Sequence, residues 1–271
     1  MANYWLILIG FLVGTLGTLI GAGGGFILMP IFFILYPNTP SEQLTAMSLC
    51  VVFFNALSGS IAYGRKGKID YYSGFMFSIA AIPGALLGSL STSHLSRKIF
   101  DPIFSFFLIT ASIYLFIRSL SKTSKPTNPN LNNYPTRYLK EKDGTIHSLI
   151  YNLKFGMILS ALVGYISSVL GIGGGIIHVP ALIHLLNFPV HIATATSHFI
   201  LAVLSLIGVL VHWYNGNLNP GLGKVIYLVP SVIIGAQLGA KLSSRIQGKW
   251  IVRCLAMALA SVGIRLLLKN L

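Results

Sequence analysis

Gly14-Thr15-Leu16-Gly17-Thr18-Leu19-Ile20-Gly21-Ala22-Gly23-Gly24-Gly25-Phe26-Ile27-Leu28-Met29-Pro30 returns later in the chain as Gly164-Tyr165-Ile166-Ser167-Ser168-Val169-Leu170-Gly171-Ile172-Gly173-Gly174-Gly175-Ile176-Ile177-His178-Val179-Pro180. Each copy sets a triple glycine and a proline inside a long apolar stretch. In a helix interior Gly costs about 1 kcal/mol and Pro about 3 kcal/mol relative to Ala. Each copy therefore predicts a helix interrupted at its glycines, at corresponding places in two halves of the chain.

The rest of the composition places these interruptions in a membrane. Hydrophobic residues fill 54% of the 271 positions and charged residues only 9%, with a mean hydropathy of +0.78. A soluble domain carries roughly 25% charged residues, so this is an integral membrane protein. Apolar runs near the ~20 residues needed to span a bilayer cover 4–36, 44–63, 71–90, 99–120, 150–186, 192–213, 225–242 and 250–268. Their length and continuity predict an all-α fold of about eight hydrophobic helices; a membrane β-barrel would show alternating segments of about 10 residues. No charged region precedes the first run, so a cleaved signal peptide is not expected.

The net charge of +14 does not point to nucleic acid. Arg65, Lys66, Lys68, Arg97, Lys98, Lys241, Arg245 and Lys249 sit between apolar runs or at their ends, which is the distribution that orients membrane proteins. Cys50 and Cys254 lie far apart within apolar runs and match no metal or redox spacing. They read as small core residues.

Residues 121–149 are the one long polar stretch, with Pro126, Pro129, Pro135 and five cations against Glu141 and Asp143. They divide the chain into a first membrane repeat (1–120), a linker (121–149) that its charge assigns to the cytoplasm, and a second membrane repeat (150–271). The duplication extends beyond the glycines. Thr45-Ala46-Met47-Ser48 answers Thr194-Ala195-Thr196-Ser197, and Gly67-Lys68-Ile69-Asp70 answers Gly216-Asn217-Leu218-Asn219. Gly84-Ala85-Leu86-Leu87-Gly88-Ser89 likewise answers Gly235-Ala236-Gln237-Leu238-Gly239-Ala240. Offsets of 149 to 151 positions hold throughout, so each half is a unit of four hydrophobic segments.

Two orientations of the halves fit the charges. If the first and fifth segments cross the membrane as single long spans, the halves are parallel and 64–70, 121–149 and 214–224 share one side. If each segment breaks at its glycines and turns back, the halves are inverted and 64–70, 121–149 and 241–249 share one side. Inverted repeats are the expected arrangement, because opposed half-sites give alternating access directly.

The glycine breaks are the first candidate site. Backbone released from a helix in lipid needs partners and is tolerated only where it lines a cavity or is buried in protein. A half-helix starting after the break offers N-terminal amides and its dipole to an anion, and glycine lets that anion approach closely. Gly23, Gly24, Gly25, Gly173, Gly174 and Gly175 are the candidate backbone ligands. The Gly84/Gly88 and Gly235/Gly239 pairs read instead as helix-packing faces.

Thr45, Ser48, Asn55, Thr194, Ser197 and His198 supply neutral donors within the apolar runs, suited to an oxyanion without the cost of burying a cation. The same hydroxyls could equally bond their own or a neighbouring helix. All five carboxylates, Glu42, Asp70, Asp101, Glu141 and Asp143, lie in loops or at helix ends, so none is placed as a membrane proton or sodium relay. Histidine is the available substitute, with His178 beside the second break and His198 beside Ser197 as the candidates for proton coupling. Helix packing is the competing role for both. No metal-binding or nucleotide-binding motif is present, and no cofactor is expected.

On these residues the chain resembles the sulfite exporter TauE/SafE family of membrane transporters. The resemblance rests on the duplicated segments Gly21–Pro30 and Gly171–Pro180, the Ala/Thr-x-Ser motifs ending at Ser48 and Ser197, and the Gly-Ala-x-x-Gly helices at Gly84 and Gly235. It covers nearly the whole chain apart from the linker. It implies a multi-pass inner (plasma) membrane permease, often an exporter, for small anionic sulfur compounds such as sulfite or organosulfonates. Other small organic anions belong to the same range of expected substrates.

The expectation is therefore a secondary transporter working by alternating access, with a small anion and the lipid bilayer as partners, and not an enzyme. A passive anion channel and a membrane enzyme using the second-half histidines as metal ligands are the rivals. Oligomeric state stays open, a homo-oligomer included.

Overall fold

The computed structural model describes residues 4–120, 136–243 and 249–269. The eight hydrophobic segments appear as ten helices, because the glycine breaks divide the first and fifth segments in two. The first half holds α1 (Trp5–Ile20), α2 (Gly25–Leu35), α3 (Ser41–Arg65), α4 (Tyr71–Thr92) and α5 (Arg97–Leu120). The second holds α6 (Leu153–Leu170), α7 (Gly175–His184), α8 (Val190–Tyr214), α9 (Leu222–Leu242) and α10 (Lys249–Lys269). Among the described residues six of these are long and apolar enough to cross a membrane; α1, α2 and α7 are shorter, as is the apolar stretch Leu259–Leu268 of α10.

The breaks are sharp turns. Gly21, Gly23 and Gly24 have φ of +88°, +75° and +80°, and Gly171, Gly173 and Gly174 have +68°, +76° and +82°. Left-handed backbone at three of four consecutive positions is available to glycine and strained for residues with a Cβ. The turn folds α2 back onto α1, since a Cβ on Gly17 would lie 2.5 Å from the Gly24 Cα. Tyr4, before α1, meets Tyr227, and Tyr36, after α2, is covered by Lys224, so both ends reach the start of α9. Tyr151, before α6, likewise lies 5.0 Å from Phe188, after α7. Each first segment is thus a re-entrant hairpin whose two ends emerge together.

The two hairpins enter from opposite ends of the molecule. Helix α3 runs antiparallel to its counterpart α8: the Gly59 Cβ position is 2.5 Å from His198, and that of Gly208 is 2.6 Å from Leu49. Helices α5 and α10 are also antiparallel, with Ser112 Oγ donating to the Ala256 carbonyl at 2.6 Å and Gly263 against Ile109. Equivalent helices that run in opposite senses make the repeats inverted. Helix α1 packs along α9, and α6 along α4, so each hairpin leans on the opposite half. Gly84 and Gly88 meet the α6 backbone at Ala161 and Tyr165, and Gly235 and Gly239 meet the α1 backbone at Phe11 and Thr15. These are the close-packing faces expected of them.

One end gathers the loop after α3, the end of α9 and the segment before α6. Lys68 pairs with Glu141 at 3.4 Å, the Lys142 amide donates to the Lys66 carbonyl, and Lys66 Nζ donates to the Ala240 carbonyl at 2.8 Å. The loop after α8 lies at the other end, where Asn217 donates to Ser93. This is the charge distribution of the hairpin alternative. Within the expected linker, residues 137–149 form an antiparallel pair, β1 (Arg137–Lys140) and β2 (Ile146–Leu149). Residues 121–135 lie outside the described residues.

Candidate functional site

The two breaks touch at the centre of the molecule. A Cβ on Gly25 would sit 2.7 Å from the Ile172 carbonyl oxygen, and one on Gly175 would sit 2.6 Å from the Ala22 Cα and 2.7 Å from the Gly21 oxygen. Gly23 and Gly173 both face Val52, midway along α3. Residues 21–26 and 171–176 are buried throughout. Backbone approaches this close require glycine at these positions in both copies.

Around the breaks the halves exchange side chains. Ser48 Oγ donates to the Gly171 carbonyl at 2.6 Å, and Ser197 Oγ donates to the Gly21 carbonyl at 3.4 Å. Thr45 lies against Gly171, and Thr194 against Gly21. The Thr/Ser pair on each long helix therefore serves the other half's break. The Gly17 carbonyl gathers the amides of Gly21, Ala22 and Gly23. The first amides of α2 and α7 lack intrahelical acceptors, as at any helix N-terminus, and here they are shielded from water.

Each serine takes up one lone pair of the opposite half's break carbonyl, Gly171 or Gly21. Several buried side-chain polar atoms beside the breaks have no partner. Asn55 is fully buried; its Oδ1 accepts from Thr18 Oγ1 at 2.8 Å and its Nδ2 has no side-chain or backbone acceptor. That amide nitrogen lies 3.3 Å from the Gly24 Cβ position, at the foot of α2. His198 is also fully buried. Its Nδ1 contacts the Thr194 carbonyl at 3.2 Å and its Nε2 is unpartnered, 3.1 Å from the Gly59 Cβ position. Thr45 Oγ1 is a third buried polar atom without a partner.

Two residues of this cluster escaped the sequence reading. Thr18 orients Asn55, and Tyr63 donates to the Thr18 carbonyl at 2.9 Å while standing edge-on to His198, ring centroids 5.5 Å apart. Thr18 sat within the quoted repeat as a polar residue in an apolar run, which was the available signal. Tyr63, at the end of the 44–63 apolar run, carried no such signal. The cluster also breaks the internal symmetry: at the 149-position offset, Asn55 answers Leu204 and Leu49 answers His198.

The two candidate coupling histidines have different surroundings. His178 faces into its own hairpin, with Nε2 3.2 Å from Ser160 Oγ. His198 faces the α3 polar cluster. Among the described residues no three His, Cys, Asp or Glu side chains are grouped to hold a metal ion.

The family model described as Sulfite exporter TauE/SafE matches residues 6–266. The probable membrane transporter protein YunE of Bacillus subtilis is 29% identical over 98% of this chain and 97% of its own length. A probable membrane transporter protein of Methanocaldococcus jannaschii is 26% identical over 97% of this chain and 94% of its own. One from Haemophilus influenzae is 26% identical over 90% and 86%, respectively. No solved structure matches the chain.

Proposed function

We propose, for a chain that belongs to the sulfite exporter TauE/SafE family of membrane transporters, that it carries sulfite, organosulfonates or related small anions by alternating access. The crossed glycine breaks carry this reading: two re-entrant hairpins from opposite ends meet at buried amides, with each half's serine holding the other half's carbonyl. An anion between Gly23–Gly25 and Gly173–Gly175 would accept from the first amides of α2 and α7, from Asn55, and from His198 Nε2 once the ring is protonated, since its Nδ1–H is held by the Thr194 carbonyl. Thr45, Ser48, Thr194 and Ser197 would complete its surroundings. Rocking one hairpin and its leaning helix against the other would expose the site to each end in turn.

The cation-rich end, with Arg65, Lys66, Lys68, Arg137, Lys140, Lys142, Lys154 and Lys241, is assigned to the cytoplasm by the positive-inside rule. The linker then faces the cytoplasm of a plasma-membrane protein. The test is flux in proteoliposomes. Saturable exchange of labelled for unlabelled sulfite or taurine-like sulfonate is expected, whereas a non-saturable leak would indicate a channel. Unchanged exchange after leucine replacement of both Gly24 and Gly174 would overturn the site.

A further inference from the structure

A cation-lined cavity lies away from the breaks, at the linker end of α3 and α9. It opens, with a volume of about 440 Å³, between Ala62, Arg65 and Lys66 on one side and Gln237, Leu238 and Lys241 on the other. Three cations line it, and none of the chain's five carboxylates does. Lys66 turns its ammonium inward to the Ala240 carbonyl at 2.8 Å. Burial, with Lys68 nearby, holds its pKa below the usual lysine value. Arg65 and Lys241 stay exposed at the rim. The Gln237 amide donates to the Ser58 carbonyl and hydroxyl, both at 2.8 Å, tying α3 to α9 beside the cavity.

Below the cations the same face becomes apolar. Leu57 and Ile61 precede Arg65 at helical spacing on α3, and Ile234 and Leu238 precede Lys241 on α9. All four are exposed. A free anion needs only the cations; an exposed apolar surface beneath them suits a ligand with acyl chains. We propose that this cavity binds the phosphate headgroup of an anionic membrane phospholipid, its chains lying along α3 and α9. Basic pockets between membrane helices on the cation-rich side are suited to such headgroups, and Arg65 offers a phosphate paired donors.

Full-length protein in neutral detergent, titrated with dioleoylphosphatidylglycerol, dioleoylphosphatidylcholine or inorganic phosphate while its unfolding midpoint is followed, tests this. Ligands that bind the folded state raise the midpoint. Phosphatidylglycerol should raise it, and phosphatidylcholine and inorganic phosphate should not. The rise should vanish in R65Q/K241Q and persist in K98Q/K140Q, which removes two exposed cations elsewhere. R65Q alone, with a diminished rise, serves if the double variant does not fold. An equal response to both lipids, a rise retained in R65Q/K241Q, or a rise produced in full by inorganic phosphate would each overturn the proposal.

Discussion

Ser48 of the first half donates its hydroxyl to the Gly171 carbonyl of the second at 2.6 Å, while its counterpart Ser197 reaches the Gly21 carbonyl at 3.4 Å. The two bonds are related by the internal inversion but unequal in length. A buried carbonyl that loses its donor costs about 1–3 kcal/mol. Ser48→Ala should therefore destabilise the protein by about that amount, and Ser197→Ala by less. Unfolding of both variants in detergent checks the order, and equal losses would show that the two bonds contribute alike.

Asn55 separates site chemistry from stability. Asn55→Asp keeps an oxygen to accept from Thr18 but replaces the unpartnered Nδ2 donor with a second oxygen. Anion exchange should fall at least about tenfold in kcat/KM, the effect of roughly 1.4 kcal/mol. Transport within about twofold of the parent would remove Asn55 from the site.

The glycines of the breaks should tolerate no Cβ. Gly25→Ala would press a methyl to 2.7 Å from the Ile172 oxygen, and overpacking of this kind costs about 1–3 kcal/mol. Gly144→Ala is the control: its φ is +91°, but nothing lies within 4 Å of its Cβ position. It should lose about 1–2 kcal/mol of local backbone stability at most and leave transport unchanged. Gly25→Ala should lose transport even where folded protein is recovered.

The inverted arrangement predicts a specific cross-link. With Cys50 and Cys254 replaced, cysteines at Leu49 and Gly208 should join under mild oxidation, because the Leu49 Cδ1 lies 2.6 Å from the Gly208 Cβ position. Parallel halves would put α3 and α8 in the same sense and leave this pair unjoined. Gel mobility before and after reduction reads the result.

Orientation across the membrane is checked by labelling. Cysteines at Lys142 and at Ser93 should react from opposite sides of sealed vesicles, since the Lys142 amide bonds the Lys66 loop and Ser93 accepts from Asn217 at the other end. Labelling of both from one side would contradict the fold.

Much of the fold was legible in the chain because its signals are local. The paired breaks were readable at Gly21–Gly25 and Gly171–Gly175, since poor helix residues in an apolar run have few other uses. The close packing of Gly84 and Gly235 was readable from spacing alone. The donor residues Thr45, Ser48, Asn55, Thr194, Ser197 and His198 were identifiable as polar groups in apolar surroundings. Their partners were not: the carbonyls that Ser48 and Ser197 bond lie more than 100 positions away in the chain, and a hydroxyl's choice between its own helix, a neighbouring carbonyl and a ligand is made by the packing.

The sequence by itself determined the membrane class, the duplication and the places where the first and fifth segments must bend. Hydropathy and the φ freedom of glycine act residue by residue, so no neighbours were needed to read them. Only the tertiary structure decided that each break turns back on itself, that α3 opposes α8, and that Ser48 and Ser197 cross to the other half's break. An apolar helix has the same composition in either direction. Its orientation is set by which faces can approach closely enough to pack, here the glycine faces that bring α1 onto α9 and α6 onto α4.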